Sequence, residues 1–246
     1  VAAPPRGHRP AVSYFGGMIY RLFLLLFLLV PTALWAQPKS PILHSHNDYQ
    51  QGEPLSTALR AGAQGIEVDV LAQDGTLLVA HDTAQVVPSR TLQRMYLQPL
   101  AQRIREKGGS VYGDGGPIFL MLDLKQDYDD LRPLLEPALA RLAKAGLLTR
   151  WTPEGPEWGP LAVVLSGTAS TQTTLTEASW YALDARPQHL DYPLEATWCY
   201  PLISADWWAQ MDFAVNRKIT EAEKNKLVQY VRRAHSHGMY VRFWGG

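Results

Sequence analysis

Four short stretches carry most of the side chains that could do chemistry. They are His44–Asp48, Glu67–Asp69, His81–Asp82 and Asp123–Lys125, and each lies at the end of an apolar run. Apolar, β-branched or leucine-rich runs of this length are typical of strands, so each stretch is expected where a strand meets a loop. Carboxylates, imidazoles and an ammonium group that converge at strand ends suit metal-assisted chemistry at a phosphate group.

Glu67 and Asp69 flank Val68 in a run that otherwise has the character of a buried strand. Alternate residues of a strand share a face, so the two carboxylates point the same way. Two carboxylates this close repel each other unless a cation lies between them, and hard divalent cations prefer such oxygens. We therefore predict one divalent cation, Mg²⁺ or Ca²⁺. Two solvated acids on an exposed edge strand are the alternative, which the apolar run Gly65–Val70 disfavours.

Asp123 and Lys125 repeat this spacing on the next core strand. Asp123 would complete the carboxylate set and Lys125 would place a compact charge beside a phosphate oxygen, unless the two only neutralise each other. His46 and His81 suit acid–base work, because imidazole changes charge near neutral pH. His44 shares a face with His46, one layer deeper, where it would orient a neighbour.

Residues 18–36 have the pattern of a secretory signal peptide. A start at Met18 is followed by a basic residue, a short apolar run and small residues up to Ala36. The apolar run is about half the length that spans a bilayer, which disfavours a membrane anchor. Residues 1–17 lack periodicity and are interpreted as a leader or a start assigned too early. We predict a secreted or periplasmic protein whose folded domain covers 37–246.

The composition of the predicted mature chain restricts the kinds of partner that it is expected to bind. The whole chain balances 23 basic against 23 acidic residues, and loss of three arginines with the first 36 residues leaves 20 against 23, a net charge of −3. A nucleic-acid partner favours a basic surface, so none is expected. The single Cys199 excludes an internal disulfide. About 210 residues suit one domain with a sizeable core, and the oligomeric state stays open.

Strand-like and helix-like segments alternate along the chain, which favours an α/β fold with a parallel sheet. The predicted strands are Ile42–His46, Gly65–Val70, Leu77–His81, Ile118–Leu124, Leu161–Leu165, Trp180–Leu183, Tyr200–Ile203 and Met239–Phe243. The predicted helices are Pro54–Ala61, Leu92–Lys107, Asp129–Ala145 and Glu221–His237. If Leu77–His81 is a short excursion, seven core strands remain, so we predict a TIM-type (β/α)8 barrel that lacks its last strand. A version extended by about 30 residues, one βα unit, would then be more stable and more active.

Taken together, these stretches resemble the superfamily of phosphatidylinositol-specific phospholipase C-like phosphodiesterases. That superfamily includes glycerophosphodiester phosphodiesterases and spider-type sphingomyelinases D. The matching residues are His46, Glu67-Val68-Asp69, Asp74-Gly75, Val79-Ala80-His81-Asp82, Leu122-Asp123-Leu124-Lys125 and Phe243-Trp244. The resemblance covers nearly all of 41–246 and implies a barrel that hydrolyses phosphoric diesters.

The resemblance also implies a role for each part of the site. His46 and His81 would be the acid–base pair, acting on a glycerophosphodiester or a phospholipid-type substrate. The implied metal ligands are Glu67, Asp69 and Asp123. Substrate contacts are expected from Lys125, Asn47 and Trp244, and supporting contacts from His44 and Asp82. A lipid-headgroup substrate would also entail transient contact with a membrane surface.

The opening motif departs from the glycerophosphodiesterase pattern. Those enzymes follow the first histidine with Arg-Gly and carry a Pro-Glu-Asn-Thr box. This chain instead has His46-Asn47-Asp48-Tyr49 and Glu53-Pro54-Leu55-Ser56. It looks closer to the branch named after altered inheritance of mitochondria protein 6. The substrate, and the choice between hydrolysis and a cyclic phosphate product, therefore stay open.

Two other functions fit part of the pattern. The motif His44-x-His46 also opens amidohydrolase-like and polymerase-and-histidinol-phosphatase-like enzymes, which need further histidines that the fourth to sixth core strands do not offer. A secreted barrel that binds headgroups without turnover is the non-enzymatic alternative. The aromatic segment after the sixth core strand fits core, a pocket lining or a lipid surface, and contains Trp198, Trp207, Trp208 and Phe213.

Overall fold

The computed structural model describes residues 41–210 and 218–245. The predicted leader and signal peptide, within 1–36, lie outside the described residues, as does Phe213. Within the described chain, no helix combines the length and the apolar character that a membrane span requires.

Seven parallel strands form the main sheet of the described chain, in the order β1-β2-β4-β7-β8-β9-β10. The strands are β1 (His44–Ser45), β2 (Gly65–Gln73), β3 (Thr76–Val79), β4 (Ile118–Leu124), β5 (Arg150–Thr152), β6 (Gly155–Glu157), β7 (Leu161–Gly167), β8 (Ala182–Ala185), β9 (Leu202–Asp206) and β10 (Tyr240–Trp244). β3 pairs antiparallel with β2, so the predicted excursion after the second strand is confirmed. The β5–β6 hairpin, a separate two-stranded sheet, was not predicted.

Helices connect successive parallel strands, as in a series of βα units. The helices of the described chain are Ser56–Arg60, Gln98–Glu106, Tyr128–Lys144, Ala169–Gln172, Trp207–Gln210 and Glu221–Ser236, with a π-helical stretch at Gln93–Leu97. The last of them begins with a reciprocal capping box between Thr220 and Glu223, as its sequence predicts. The four predicted helices are all present, and the one at 92–107 includes the π-helical stretch.

The strands β2, β4, β7 and β8 are buried on both faces, whereas β1 and β10 at the two ends of the sheet are only partly buried. Val68, Leu122 and Leu165 point outward into the core beneath the helices. Met121 and Val164 point inward and pack with side chains of neighbouring strands in a second, smaller core. Parallel strands buried on both faces have nearly continuous apolar runs, which is why the sequence revealed them.

The sheet is strongly curled, because residues of distant strands meet across its inner face. The rings of Phe119 on β4 and Tyr240 on β10 have centroids 5.6 Å apart, although β7, β8 and β9 separate their strands. Arg242 of β10 likewise reaches Glu67 of β2. A curled parallel sheet with helical connections is consistent with the predicted (β/α) barrel. Among the described strands, β1 and β10 are the two ends of the sheet and are not paired with each other.

Candidate active site

Polar side chains replace apolar ones where the inner face of the sheet reaches the carboxyl ends of its strands. The register places Asp69 of β2, Asp123 of β4 and Ser166 of β7 in one row. Directly below, Met121 and Val164 occupy the preceding inward row. In parallel α/β folds this end of the strands is where ligands bind. The apolar layer therefore forms the floor of a polar mouth.

The three predicted metal ligands converge at this mouth. Glu67, Asp69 and Asp123 each offer a carboxylate oxygen within 4.8 Å of the others. Among the described residues, the buried Asp123 Oδ1 accepts no hydrogen bond, and the buried Asp69 Oδ1 has only the Lys125 ammonium group beside it, at 3.2 Å. Unpartnered buried carboxylate oxygens are costly unless a cation compensates them. The donor set therefore fits a hard divalent cation, for which clustered carboxylate oxygens are the usual ligands.

Gly167 at the end of β7 leaves the space that Asp123 needs. Its φ is +64°, and a Cβ at this position would lie 2.2 Å from Asp123 Oδ1. Lys125 approaches the same carboxylates from the strand end, with Nζ 2.9 Å from Asp123 Oδ2 and 3.2 Å from Asp69 Oδ1. The ammonium group thus lies next to the acids, where it could also reach a phosphate oxygen.

Burial and charge set the protonation of these groups. Burial raises the pKa of Asp123, and the nearby Lys125 offsets this only in part. Burial lowers the pKa of Lys125, but the carboxylates of Asp123 and Asp69 outweigh it, so the pKa lies above its usual value. Burial would raise the pKa of Glu67, yet His44, Arg242 and His46 together hold it below its usual range. Glu67 is therefore ionised at neutral pH and Lys125 is charged.

His81 stands at this mouth with one ring nitrogen fixed. Its Nδ1 lies 2.8 Å from Asp69 Oδ2, and the imidazole is 54% exposed. The buried hydroxyl of Tyr49 donates to the same oxygen at 2.7 Å. A carboxylate that accepts Nδ1–H leaves Nε2 directed away from it and available for proton transfer. Asp69 therefore orients His81 through Oδ2, while its Oδ1 faces the carboxylate cluster.

His44 and His46 both approach one oxygen of Glu67. His44 Nε2 lies 3.3 Å from Glu67 Oε2, whereas His46 Nε2 lies 3.7 Å from it, beyond hydrogen-bond distance. The two rings differ in exposure, at 20% for His44 and 57% for His46. Gly65 makes room for the deeper ring, since a Cβ there would be 2.5 Å from His44 Nδ1. The structure thus places His44 behind Glu67 and His46 towards solvent.

A buried carboxylate holds the loop that carries His46. Asp48 accepts hydrogen bonds from the Ser45 hydroxyl at 2.8 Å, the Leu55 N–H at 2.6 Å and the Tyr96 hydroxyl at 2.8 Å. Asn47, predicted to contact substrate, adopts a left-handed conformation with φ 46° just before this residue. Asparagine tolerates that conformation better than most residues. The Asn-Asp pair therefore turns the chain sharply out of β1.

Two other predicted residues have different surroundings. Asp82, expected to support the site, caps the turn after His81, where it accepts from the N–H groups of Ala84 and Gln85. Trp244, expected to contact substrate, ends β10 and is 43% exposed. The geometry gives Asp82 a local role in the turn that follows His81.

Sequence reasoning missed two arginines at the mouth. Arg242 donates to Glu67 Oε2 and lies 3.3 Å from Ser204 Oγ. Arg186 pairs with the fully buried Asp184, and both contact Ser166. Arg242 interrupts a short, mostly apolar strand and Arg186 directly follows one. A single arginine at such a position was a signal in the sequence that could have identified both residues.

The aromatic segment after the sixth core strand is divided between core and surface. Trp198, which precedes this strand rather than following it, packs against the core, and the ring of Trp207 meets Phe243 edge-on at 5.1 Å. Trp208 is exposed. Tyr192 and Leu194, in the connection between β8 and β9, are also exposed, as is Trp244 at the end of β10.

The comparisons with known proteins agree with the motif resemblance. The model of the AIM6-like phosphodiesterase domain matches residues 36–182. The altered inheritance of mitochondria protein 6 homolog of Arthroderma benhamiae is 32% identical over 145 residues, covering 51% of this chain and 46% of that protein. The protein of this name from Eremothecium gossypii is 27% identical over 240 residues, covering 82% and 60%. The chain thus spans about half the length of the curated relatives it matches.

A solved structure supports the fold. A calcium-dependent phosphoinositol-specific phospholipase C from a Pseudomonas species aligns with a TM-score of 0.52. The alignment covers 88% of this chain and 86% of that chain, at 13% sequence identity. At this identity the likeness concerns the fold. The predicted membership of the phospholipase C-like phosphodiesterases, in the branch of altered inheritance of mitochondria protein 6, is confirmed.

Proposed function

Because the chain belongs to the AIM6-like phosphodiesterase family, we propose that it is a metal-dependent phosphoric diester hydrolase using histidine acid–base catalysis. Its substrate would be a glycerophosphodiester or a phospholipid-type diester. The observation that carries the proposal is the meeting of three carboxylates, Lys125 and His81 at the carboxyl end of a curled parallel sheet.

Glu67, Asp69 and Asp123 would hold the divalent cation in this proposal. When bound, such an ion supplies positive charge against the phosphoryl oxygens. Lys125 would share that task, since its ammonium group lies at the edge of the carboxylate cluster. Whether the ion is Mg²⁺ or Ca²⁺ is decided by the binding experiment below.

The two exposed histidines would move the protons. His46 would take the proton from the attacking hydroxyl, which belongs either to water or to the substrate itself. His81, held by Asp69 through Nδ1, would give a proton from Nε2 to the leaving alkoxide. Tyr49 would support this step by fixing the same carboxylate oxygen.

The surface around the mouth suits a lipid-type substrate. Two exposed tryptophans lie at the carboxyl ends of neighbouring strands, Trp208 just after β9 and Trp244 as the last residue of β10. Aromatic side chains of this kind are favoured at membrane–water interfaces. Transient contact with a membrane surface, and export from the cell, are parts of the proposal.

A His-x-His metallohydrolase is the second candidate, but the geometry favours it less. His44 and His46 both approach the same oxygen of Glu67 rather than a shared open position. His189, the buried histidine that follows β8, accepts the Arg186 N–H at Nδ1 and stacks on Tyr200. Burial and the adjacent Arg186 also lower the pKa of His189.

The test is turnover of bis(p-nitrophenyl) phosphate by the purified chain, with EDTA, Mg²⁺, Ca²⁺ or Zn²⁺. We expect EDTA to abolish turnover and Mg²⁺ or Ca²⁺ to restore it. His46→Ala and His81→Ala should each lose about 10²–10⁴-fold in kcat, the usual value of one positioned acid or base. His237→Ala, at the exposed end of the last helix, is the matched control and should retain activity. Full activity in either site variant would contradict the assignment, and activity restored by Zn²⁺ alone would favour the His-x-His candidate.

A substrate screen then identifies the diester. Glycerophosphodiesters, phosphoinositides, lysophospholipids and sphingomyelin are compared with and without the activating ion, with separate detection of cyclic phosphate. Metal binding without turnover of any diester would instead support the headgroup-binding alternative.

A further inference from the structure

Arg242 is the one charged residue of β10, between Val241 and Phe243. It stands opposite Ser204 in the register with β9, on the inner face of the sheet. Its guanidinium spans the mouth to Glu67 on β2, and its side chain is 14% exposed. The Arg242 side chain thus extends from the edge strand β10 to the buried carboxylate of Glu67.

The guanidinium and a metal ion would compete for the carboxylate of Glu67. Arg242 donates to Oε2, and the two histidine Nε2 atoms nearest Glu67 also approach Oε2. Glu67 is 3% exposed, so it gains little compensation from solvent. A buried carboxylate that already has a guanidinium partner is a weaker ligand for a second cation. The Arg242 contact therefore opposes metal binding at this carboxylate.

The net charge of the mouth indicates how the contact between Arg242 and Glu67 would affect the binding of a phosphodiester. With neutral histidines, the three carboxylates of the cluster exceed the cations Lys125 and Arg242 by one charge. A phosphodiester carries one negative charge, so the metal-free mouth repels it. A divalent ion reverses the sign to one net positive charge. Guanidinium groups match phosphate oxygens in a two-pronged geometry, which makes a displaced Arg242 well suited to the substrate.

We propose that Arg242 occupies Glu67 until a divalent cation binds, and that it then transfers its hydrogen bonds to the phosphate of the substrate. This inference rests on the proposed metal-dependent function. It makes metal binding the event that both inverts the charge of the mouth and releases a phosphate-binding group. Arg242 would therefore be a substrate-binding residue that also weakens metal binding.

The first experiment measures metal affinity without turnover. Mg²⁺ and Ca²⁺ are titrated by calorimetry into the wild-type chain, Arg242→Gln and Arg186→Gln. We expect Arg242→Gln to bind its preferred ion at least about tenfold more tightly, because Glu67 loses its competing partner. Arg186→Gln is the matched control, since Arg186 pairs with Asp184 outside the carboxylate cluster, and it should not change. Equal or weaker metal binding by Arg242→Gln would overturn the inference.

The second experiment measures anion binding with dimethyl phosphate as a diester probe that is turned over slowly. Wild-type protein should bind it only when metal is present, and metal-saturated Arg242→Gln should bind it about tenfold more weakly. Unchanged anion binding in that variant would refute the transfer to phosphate.

If Arg242→Gln does not fold, Arg242→Lys is the substitute variant. It keeps the positive charge but loses the two-pronged geometry of the guanidinium, so it should weaken anion binding while its metal affinity stays near that of the wild type. Unchanged anion binding in Arg242→Lys would equally refute the transfer to phosphate.

The outcomes separate this inference from the proposed function. Metal-dependent diester binding that requires Arg242, without turnover, would leave the inference standing and reject the hydrolase. Turnover by the wild type together with unaltered metal affinity in Arg242→Gln would support the hydrolase and reject the inference. Absence of divalent metal binding in both wild type and Arg242→Gln would reject both.

Discussion

Replacing Gly167 by alanine tests the carboxylate cluster without changing an ionisable group. Gly167 has φ +64°, and an added Cβ would lie 2.2 Å from Asp123 Oδ1 and 2.3 Å from the Leu124 carbonyl oxygen. Both distances are below the 3.0 Å that real Cβ atoms respect. The Asp123 carboxylate and the ends of β4 and β7 must therefore move apart.

Two costs contribute to the expected loss of stability. Alanine in the left-handed region costs about 1 kcal/mol. Overpacking of a well-filled site costs about 1–3 kcal/mol, so Gly167→Ala should lower the free energy of unfolding by about 2–4 kcal/mol in total. Gly146→Ala is the matched control, because Gly146 has φ +70° and nothing within 4 Å of its Cβ position. It should show the first cost alone.

Urea denaturation of the two variants and the wild type gives the free energies, and calorimetric titration gives the affinity for Mg²⁺ and Ca²⁺. We expect Gly167→Ala to bind the activating ion at least about tenfold more weakly, since displacement of one carboxylate removes a ligand charge. Gly146→Ala should bind it like the wild type. Equal destabilisation of the two variants with unchanged metal affinity would refute the role given to the Gly167 space.

Two further predictions concern buried groups. Asp48→Asn should lower the free energy of unfolding by about 3 kcal/mol in urea denaturation, because its amide NH₂ would face donors such as the Tyr96 hydroxyl. The exposed Asp129→Asn is its control, and equal stability of the two would contradict the assigned hydrogen bonds. Burial raises the pKa of Cys199 to about 11, so little thiolate forms at pH 8 and the native thiol should resist Ellman's reagent until urea unfolds the chain. Stoichiometric reaction of the native protein within minutes would contradict its burial.

The core strands could be predicted because burial on both faces leaves a strong apolar signal. The strand Ile118–Leu124 was predicted with its observed bounds. The only acid in that strand is Asp123, and a period of two residues places it on the face opposite Leu122 and Leu124. The same parity on β2 aligns Asp69 with it in the register. Strand periodicity together with parallel pairing was thus enough to assemble the carboxylate cluster.

The contact between Arg242 and Glu67 could not be predicted in the same way. The two residues are 175 positions apart in the sequence. Four strands, β4, β7, β8 and β9, separate β2 from β10 along the main sheet, so the two residues meet only because the sheet curls. Curvature arises from the twist and packing of the whole sheet, for which no local sequence pattern exists. A lone arginine within the apolar strand Tyr240–Trp244 is a signal that an acid lies nearby, but it does not identify which acid.

The first strand shows how a local hydrogen bond can overrule strand propensity. The prediction extended it over Ile42–His46, whereas β1 covers only His44–Ser45. The chain leaves the strand because Asn47 is left-handed and Asp48 begins a 3-10 turn anchored by the Tyr96 hydroxyl. Side chain–backbone interactions of Asn and Asp compete with strand pairing in this way. Tyr96 lies 48 positions away, so the anchor had no signal within the motif.

The same turn explains why two histidines only two positions apart can differ in role. Strand parity predicts that His44 and His46 share a face, and both Nε2 atoms do approach Glu67 Oε2. His44, still in the strand and confined by Gly65, is close enough to hydrogen-bond the carboxylate. His46 has left the strand, makes no hydrogen bond to Glu67 at 3.7 Å and is 57% exposed. A ring held by a buried carboxylate is fixed in place, whereas an exposed ring beside it can accept and release a proton, so burial rather than sequence position selects His46 as the proposed base.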